Sequence, residues 1–532
     1  MKWKSLIHQG VAFPPEHQPL GFSIRIFGRP FKLTPFQEEM AVAWGKKKDT
    51  PYVKDPVFQK NFLAEFLKLF PKDLKAAKIE DMDFTEIHQW IESEKKKAED
   101  KELRKKRAAD RKVKRDEMKA VYGTAEVDGQ PFDVGNYMIE PPGIFMGRGE
   151  HPMRGKWKPR IRPEDVTLNL GENAPVPPGK WGGIVHDHES TWLARWMDKL
   201  TEKDKYVWLS EGSALRQQAD QAKYDKAKKL GRSIEKVTTE MYKAMAGRDL
   251  KQRMVSTAVF LINRLAMRVG DEKDPDEADT VGASTLRVEH VAFKGNTLEF
   301  DFLGKDSVRW QKSLTVEGRD EVVLKNLQQF TKGKKPSALI FSDITSRSVN
   351  EFLGGIQKGL SAKVFRTYLA TEIVRKHLEG LDSKLKGGSD SAKLYHAKMA
   401  NLQAAITCNH KRAIPKNFEE NLDKKRKLLE EIGSQEARTD KGEQRRGERL
   451  ERLKMQLELA VQTRDYNLGT SLKNYIDPRV IKSWCDYVEL DWTKLYTTAL
   501  HRKFLWVEKA SPPWKKLLAD PTADFGDGGE EE

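Results

Sequence analysis

Between Pro415 and Tyr466 the chain is almost all charge outside two narrow apolar stripes: Phe418, Leu422, Leu429 and Ile432, then Leu450, Leu453, Leu457 and Ala460. Spacings of three, four and seven residues put each stripe on one face of a helix, and stripes this narrow bury themselves against one another. The polar, glycine-containing stretch from Gly433 to Gly447 marks the turn between them. Residues 415–466 are therefore predicted to form an antiparallel helical hairpin. Such pairs act as spacers, and this one would hold the residues after it at a set distance from the lobe before it.

The flanks differ in character. Residues 1 to about 80 mix strand-like pieces, such as Phe22–Phe27, with Pro and Gly punctuation and amphipathic helical stretches. Phe84 to about Ala120 reads as one long helix whose second half carries charge of both signs, the pattern of a solvated arm. Residues 131–212 are rich in Pro, Gly and strand signals, and after about residue 213 the chain turns mainly helical, broken by a hairpin near Gly304. A length of 532 residues accommodates several domains. The tail Asp524–Glu532 is acidic and reads as disordered.

Composition restricts the partners. Lys and Arg number 96 against 80 Asp and Glu, a net charge of +16 that draws in a polyanion, with affinity expected to fall steeply with salt. Cys408 and Cys485 lie far apart and form no metal-binding pair, which points to a reducing compartment. No apolar run approaches the roughly 18 residues of a membrane span, and the start lacks a secretory apolar region, so an intracellular protein away from membranes is expected.

Five residues carry candidate chemistry, each with an ordinary structural explanation beside it. Arg268 continues the stripe Met254, Ala258, Leu261 and Leu265 of a helix read over Lys251–Val269 and closed by Gly270; it could simply complement the helix C-terminus, yet an inward arginine needs an anion. Lys305 falls at the tip of a hairpin made by the alternating Thr297–Phe302, the turn Gly304–Ser307 and a return from Val308; most tip lysines are only solvated. Ser361 reads as the N-cap of a helix over Ala362–His377 that sets Lys363 and Arg366 on one face, suited to a phosphate or to surface ion pairs. His410 follows Leu402 and Ile406 at four-residue steps, where a core or capping role is common, but Lys411 and Arg412 add cations. Tyr475 stands in a short polar segment ahead of the helix start Asp477–Pro478; its phenol, with an ordinary pKa near 10, needs cations around it to become a nucleophile.

Other motifs point away from nucleotide and metal chemistry. There is no GxxxxGK[ST] loop. Asp271–Asp279 is acidic without the order or central glycine of an EF-hand, and reads as a solvated loop. His186-Asp187-His188-Glu189 lacks a third ligand at a known spacing, so no metal or cofactor is expected.

Several strings together resemble the eukaryotic-type DNA topoisomerase IB family. They are Asp279-Thr280-Val281-Gly282, Leu286-Arg287-Val288-Glu289-His290, Phe300–Ser307, Ala362-Lys363-Val364-Phe365-Arg366-Thr367-Tyr368 and Leu468-Gly469-Thr470-Ser471. The resemblance runs from Lys2-Trp3-Lys4 to Lys503-Phe504-Leu505-Trp506. It implies an α+β multidomain fold: a bi-lobed DNA clamp with a mixed α/β cap lobe, a mainly helical catalytic lobe related to tyrosine recombinases, and an antiparallel coiled-coil linker. The implied divisions are 1–20 with 105–212 and 21–104 in the cap region, 213–414 as catalytic core, 415–466 as linker, and 467–532 as the C-terminal domain.

By this resemblance Tyr475 attacks a phosphate of duplex, supercoiled DNA to give a 3′-phosphotyrosyl link. Arg268, Arg366 and His410 bind the non-bridging oxygens, and Lys305 protonates the departing 5′ oxygen. Strand rotation and religation follow without ATP, metal or cofactor, in a monomer. Arg148, Asp306 and Asn474 match positions beside the scissile site where camptothecin-type inhibitors bind, and Lys363 is expected to contact DNA. Two departures stand out. Relatives generally read Ser-Lys-x-x-Tyr, whereas here Leu472 and Lys473 are exchanged. The long charged N-terminal arm of eukaryotic members is missing, which favours an archaeal cytoplasmic source over a nuclear one. The alternative activities are a tyrosine site-specific recombinase and a non-catalytic DNA-packaging protein.

Overall fold

The computed structural model describes residues 2–271, 278–436 and 439–523. The acidic loop expected over residues 271–279 and the acidic tail from Asp524 lie mostly or wholly outside them. No helix among the described residues is long and apolar enough to cross a membrane. The chain divides into two compact units, one reaching as far as Arg216 and the other taking the chain from Gln217 onward.

Two hydrophobic cores build the first unit. One is aromatic: strands Ser23–Ile26 and Arg29–Lys32 form a hairpin whose turn residues, Phe27 (φ 50°) and Gly28 (φ 74°), both adopt the left-handed region a two-residue turn requires. Helices α1 (Pro35–Gly45) and α2 (Pro56–Phe66) pack beside it, with Trp44 stacked 4.4 Å from Phe62 and Phe62 5.1 Å from Phe66. Thr34 and Gln37 form a reciprocal capping box at the start of α1, and the Asp55 carboxylate caps α2. The other core lies under two sheets, one pairing Leu6–His8 with Thr124–Val127 and Gln130–Asp133, the other four-stranded with a parallel pair formed by Val166–Asn169 and Gly183–Val185. In the loop that follows, His186 Nδ1 lies 2.7 Å from Leu170 O and His188 Nδ1 lies 3.0 Å from Trp3 O, so backbone carbonyls engage both rings.

The long helix expected over Phe84–Ala120 is two helices, α3 (Thr85–Glu99) and α4 (Lys101–Tyr122). Asp100 separates them in an extended conformation (φ −61°, ψ 121°), because its carboxylate accepts from Leu103 N at 2.8 Å and so caps α4 instead of continuing α3. Charge periodicity runs unbroken across the joint and hides it.

In the second unit α5 (Ala214–Met245), α6 (Leu250–Leu265), α7 (Glu321–Thr331), α8 (Ser346–Ile356) and α9 (Ala362–Glu379) surround a three-stranded antiparallel sheet, Val291–Lys294, Thr297–Gly304 and Val308–Thr315. A one-turn helix α10 (Asp382–Leu385) leads to α11 (Asp390–Thr407). Helices α12 (Phe418–Ser434) and α13 (Asp440–Gln462) then pack on each other, burying Leu422, Ile432 and Leu453 from the two predicted stripes. The turn between them is shorter than Gly433–Gly447: α13 starts at Asp440, Thr439 caps it through Gly442 N at 3.1 Å, and Gly442 and Gly447 are helical. Short helices α14 (Leu468–Asn474), α15 (Pro478–Tyr487), α16 (Thr498–Lys503), α17 (Val507–Ala510) and α18 (Trp514–Ala519) complete a core around Trp484 and Trp514 that also takes in α9 and α11. Cys408 and Cys485 are buried free thiols.

Candidate active site

Two helices end in the same unusual way, and their ends organise the site. Helix α6 stops at Leu265, four residues earlier than the apolar stripe suggests, because Ala266 turns into the left-handed region (φ 51°, ψ 33°). Arg268 therefore does not continue the helical stripe. It lies in a linking segment whose backbone is fixed by Ala283 N donating to Arg268 O (2.8 Å) and Ser284 N to Val269 O (2.6 Å), and Gly270 (φ 86°) bends the chain after it. Helix α11 stops at Thr407; Asn409 takes a left-handed conformation (φ 54°), which asparagine tolerates well, and His410 falls outside the helix. Its carbonyl accepts from Asn467 N at 2.7 Å.

Arg366 joins these ends. Its position on the inner face of α9 leaves it only 4% exposed. One terminal nitrogen donates to Ala266 O, and the other donates to Cys408 O (2.8 Å) and faces His410 Nε2 (3.3 Å). A guanidinium here offsets the cost of the left-handed Ala266 by satisfying the carbonyl that the interrupted helix exposes. Arg366 Nε is buried with no hydrogen-bond partner among the described residues. The expected N-cap of α9 is only positional: the Ser361 hydroxyl makes no cap bond, and Ala362 N donates to Asn350 Oδ1 at 3.0 Å.

His410 is 6% exposed. Its Nδ1 lies 2.7 Å from Ser471 Oγ while Nε2 faces a guanidinium that can only donate, so the neutral ring carries its proton on Nδ1. Burial, then the Arg366 and Arg268 charges, push its pKa from 6.5 down to about 3. The unfolded chain consequently binds a proton at this residue that the folded chain refuses between about pH 6.5 and 3, so folding stability is lost as pH falls through that window. For one such group the slope reaches about 1.4 kcal/mol per pH unit. His8, lowered to about 4 by burial, adds a similar term. The unfolding midpoint of His410→Gln should thus decline less steeply from pH 6 to pH 4 than that of the unaltered protein; parallel declines would contradict the assignment.

The short polar segment ahead of Asp477 is the helix α14, and Tyr475 is its C-cap residue: its N–H donates to Ser471 O (2.9 Å). Thr371 Oγ1 donates to Tyr475 O (3.2 Å) and accepts from Asp477 N (3.0 Å), while Asp477 caps α15 through Arg479 N at 2.9 Å with Pro478 in its first turn. The ring stacks on His410 at 5.0 Å and 28°, with the Arg366 guanidinium carbon 4.9 Å from its centroid. Burial alone would raise the phenol's pKa. The nearby charges of Arg366 and Arg268 outweigh it and hold the pKa below its usual value.

Lys305 follows Gly304 at the hairpin tip, and Asp306 (φ 65°) and Ser307 (φ 56°) make the turn. Lys305, Arg268, Lys363 and Arg366 line one cleft of ≈ 280 Å³ with Thr280, Val281 and Ala362. Asp306 and Asn474 are exposed, next in sequence to Lys305 and Tyr475, and Asn474 Nδ2 donates to Thr470 O at 3.2 Å. Arg148 belongs to the first unit, exposed between Gly147 (φ 64°) and Gly149 (φ 58°).

Sequence reasoning gave no role to Ser471, Thr371 or Lys312. Ser471 lies four residues before Tyr475 on the same short helix and is wholly buried. Lys312 is in phase with Trp310 and Leu314 on the inward face of the return strand, a lysine at an apolar-phase position, and that was its readable signal.

Known families match almost the whole chain. The family described as eukaryotic DNA topoisomerase I, DNA binding fragment, matches residues 1–209; the catalytic core of the same enzyme matches 212–443; a C-terminal topoisomerase domain matches 447–516. DNA topoisomerase 1 beta of Arabidopsis thaliana is 36% identical over 97% of this chain and 59% of its own length. DNA topoisomerase 1 of Drosophila melanogaster is 36% identical over 95% of this chain and 54% of its own, and that of Homo sapiens 33% identical over 95% and 71%. The chain thus spans little more than half of the plant and insect relatives. With three consecutive family matches on one chain and a third of the residues shared along most of the human protein, the chain belongs to the eukaryotic DNA topoisomerase I family.

Proposed function

We propose that this protein is a type IB DNA topoisomerase that relaxes supercoiled duplex DNA through a transient protein-linked nick. The carrying observation is Tyr475 itself: its ring stacks on His410 with the Arg366 guanidinium over it, and the charges of Arg366 and Arg268 lower the pKa of its phenol. A tyrosine so placed is activated for attack on an anionic phosphodiester.

The Tyr475 oxygen forms a bond to phosphorus, its proton passing to water, as the bond from phosphorus to the 5′ oxygen breaks. The leaving oxygen takes a proton from the Lys305 ammonium. Arg268 and the unpartnered Nε–H of Arg366 stabilise the charge that builds on the non-bridging oxygens, and His410 joins them by moving its proton from Nδ1 to Nε2 as the phosphate arrives, the Ser471 hydroxyl then donating to Nδ1. The 3′-phosphotyrosyl linkage keeps the bond energy, the free end rotates under torsional strain, and attack by the 5′ hydroxyl restores the strand. Lys363 binds the backbone at the cleft rim, and Arg148, Asp306 and Asn474 flank the cleaved step. We assign residues 415–466 as the coiled-coil linker of a bi-lobed, monomeric clamp, 467–532 as the nucleophile domain, 213–414 as catalytic core, and 21–104 together with 1–20 and 105–212 as the cap. Because Ser471 lies on α14 and Tyr475 caps its end by donating to Ser471 O, the exchange of Leu472 and Lys473 leaves these contacts in place. An archaeal source draws no support from relatives in a plant, an insect and a human.

Supercoiled plasmid without any recombination site, incubated with dilute protein in EDTA and without ATP, should relax through a ladder of topoisomers for either sign of supercoiling. Plasmid left supercoiled under those conditions would refute the proposal, and would be the result expected of a site-specific recombinase or a packaging protein.

A further inference from the structure

A second cation holds the two helix ends that Arg366 joins. Lys312, on the inward face of the return strand, reaches across to donate to Leu265 O (3.0 Å) and to Thr407 O, the last residues of α6 and α11. Arg366 takes the next carbonyl along each chain, Ala266 O and Cys408 O. Four consecutive end carbonyls, two per helix, are thus tied by two side chains from different elements. Each chain then leads within three residues to a group at the phenol: Leu265 to Arg268, Thr407 to His410.

We propose that Lys312 is a positioning residue for this site, fixing the two helix ends so that Arg268 and His410 are held in register before DNA arrives. This rests on the reading of Tyr475 as the nucleophile. The arrangement is costly to keep unless it serves something. Both hydrogen bonds of Lys312 among the described residues go to neutral carbonyls, its ammonium lies 5.3 Å from the centre of the Trp310 ring, and burial, with the Arg366 charge nearby, lowers its pKa to about 8. A neutral apolar residue at this strand position would complete the sheet face beside Trp310 and Leu314 without that cost. What it would not do is clamp the terminal carbonyls of α6 and α11, which carry the negative ends of the two helix dipoles. The clamp matters because a sub-ångström misplacement of charge-stabilising donors is enough to slow a reaction that depends on preorganisation.

The test is Lys312→Met, which keeps the stem and removes the donors, studied in the full chain. Single-turnover cleavage of a short nicked duplex is measured with duplex affinity, beside the unaltered protein, His410→Ala and the double variant. The expected result is cleavage slowed on the order of 10–100-fold with affinity changed less than about threefold, and a double variant no slower than about twofold below His410→Ala alone, because residues acting through one another are not additive. Cleavage within threefold of the unaltered protein, or fully multiplicative losses in the double variant, would overturn the positioning role. If the methionine variant does not fold, Lys312→Arg keeps donors for both carbonyls: cleavage within tenfold of normal supports the role, and a folded arginine variant as slow as His410→Ala overturns it. Absence of a covalent adduct with the unaltered protein would instead refute the nucleophile assignment, and the positioning role with it.

Discussion

Tyr475→Phe should abolish the covalent protein–DNA adduct and reduce plasmid relaxation by at least about 10⁴-fold, the loss seen when an enzyme's nucleophile is removed, while binding duplex DNA as tightly as the unaltered protein. The phenol has no structural task that phenylalanine leaves undone: the ring still stacks on His410, the backbone still accepts from Thr371, and Arg366 keeps its bonds to Ala266 O and Cys408 O. Folding should therefore be unchanged or slightly improved. Denaturing gels of labelled duplex, trapped before religation, check the adduct, and end-labelling distinguishes the 3′ from the 5′ linkage. Surviving relaxation would show that another group attacks phosphorus and would remove the basis of the mechanism. A 5′-linked adduct would reverse the roles given to Tyr475 and Lys305.

Local chemistry made much of this architecture readable in advance. Alternation in Thr297–Phe302 and the Gly304 turn set Lys305 at a hairpin tip, and register pairing of Gly304 with Val308 puts it there. Asp477 and Pro478 announced a helix start, and the Asp477 carboxylate caps it. The two stripes of residues 415–466 announced α12 and α13, because a narrow apolar face leaves few other ways to bury itself. In each case the determinant lies within a few residues of its effect.

The failures at the site have a different cause. Apolar periodicity continues past Leu265, so sequence extends α6 to Val269; the helix breaks because Arg366, 100 residues away, binds Ala266 O and Lys312, 47 residues away, binds Leu265 O. His410 likewise follows a four-residue rhythm, yet lies beyond a left-handed Asn409 whose neighbours' carbonyls are held by the same two cations. The Ser471 partner of His410 is 61 residues distant. Tertiary hydrogen bonds to helix-end carbonyls leave no periodic trace, and it is these that bring Arg268 and His410 to Arg366. Family strings supplied the cluster's membership; only coordinates supply the reason it holds together.

Arg366→Ala should slow cleavage on the order of 10²–10³-fold, and Arg366→Lys should recover little of it. Arg366 serves four neighbours at once: it donates to Ala266 O and Cys408 O, faces His410 Nε2 and lies over the Tyr475 ring. A planar fork spans them, whereas a lysine is a point charge with no fixed spread and must abandon at least one. Arg366→Ala strands buried carbonyls at both helix ends and Arg366→Lys at least one group, at about 1–3 kcal/mol for each unsatisfied group, so a lower melting midpoint accompanies the rate loss. The feature separating a chemical role from a merely structural one is the pH profile. Arg366 is the larger of the two charges lowering the Tyr475 pKa, so in Arg366→Ala the phenol moves back up and the alkaline rise of single-turnover cleavage shifts to higher pH. A structural role alone would lower the rate at every pH by one factor. Cleavage measured from pH 6 to 10 on both variants decides between them: an unshifted profile would remove Arg366 from the activation of Tyr475, and a lysine variant matching the unaltered rate would show that charge, rather than the fork, is what the site requires.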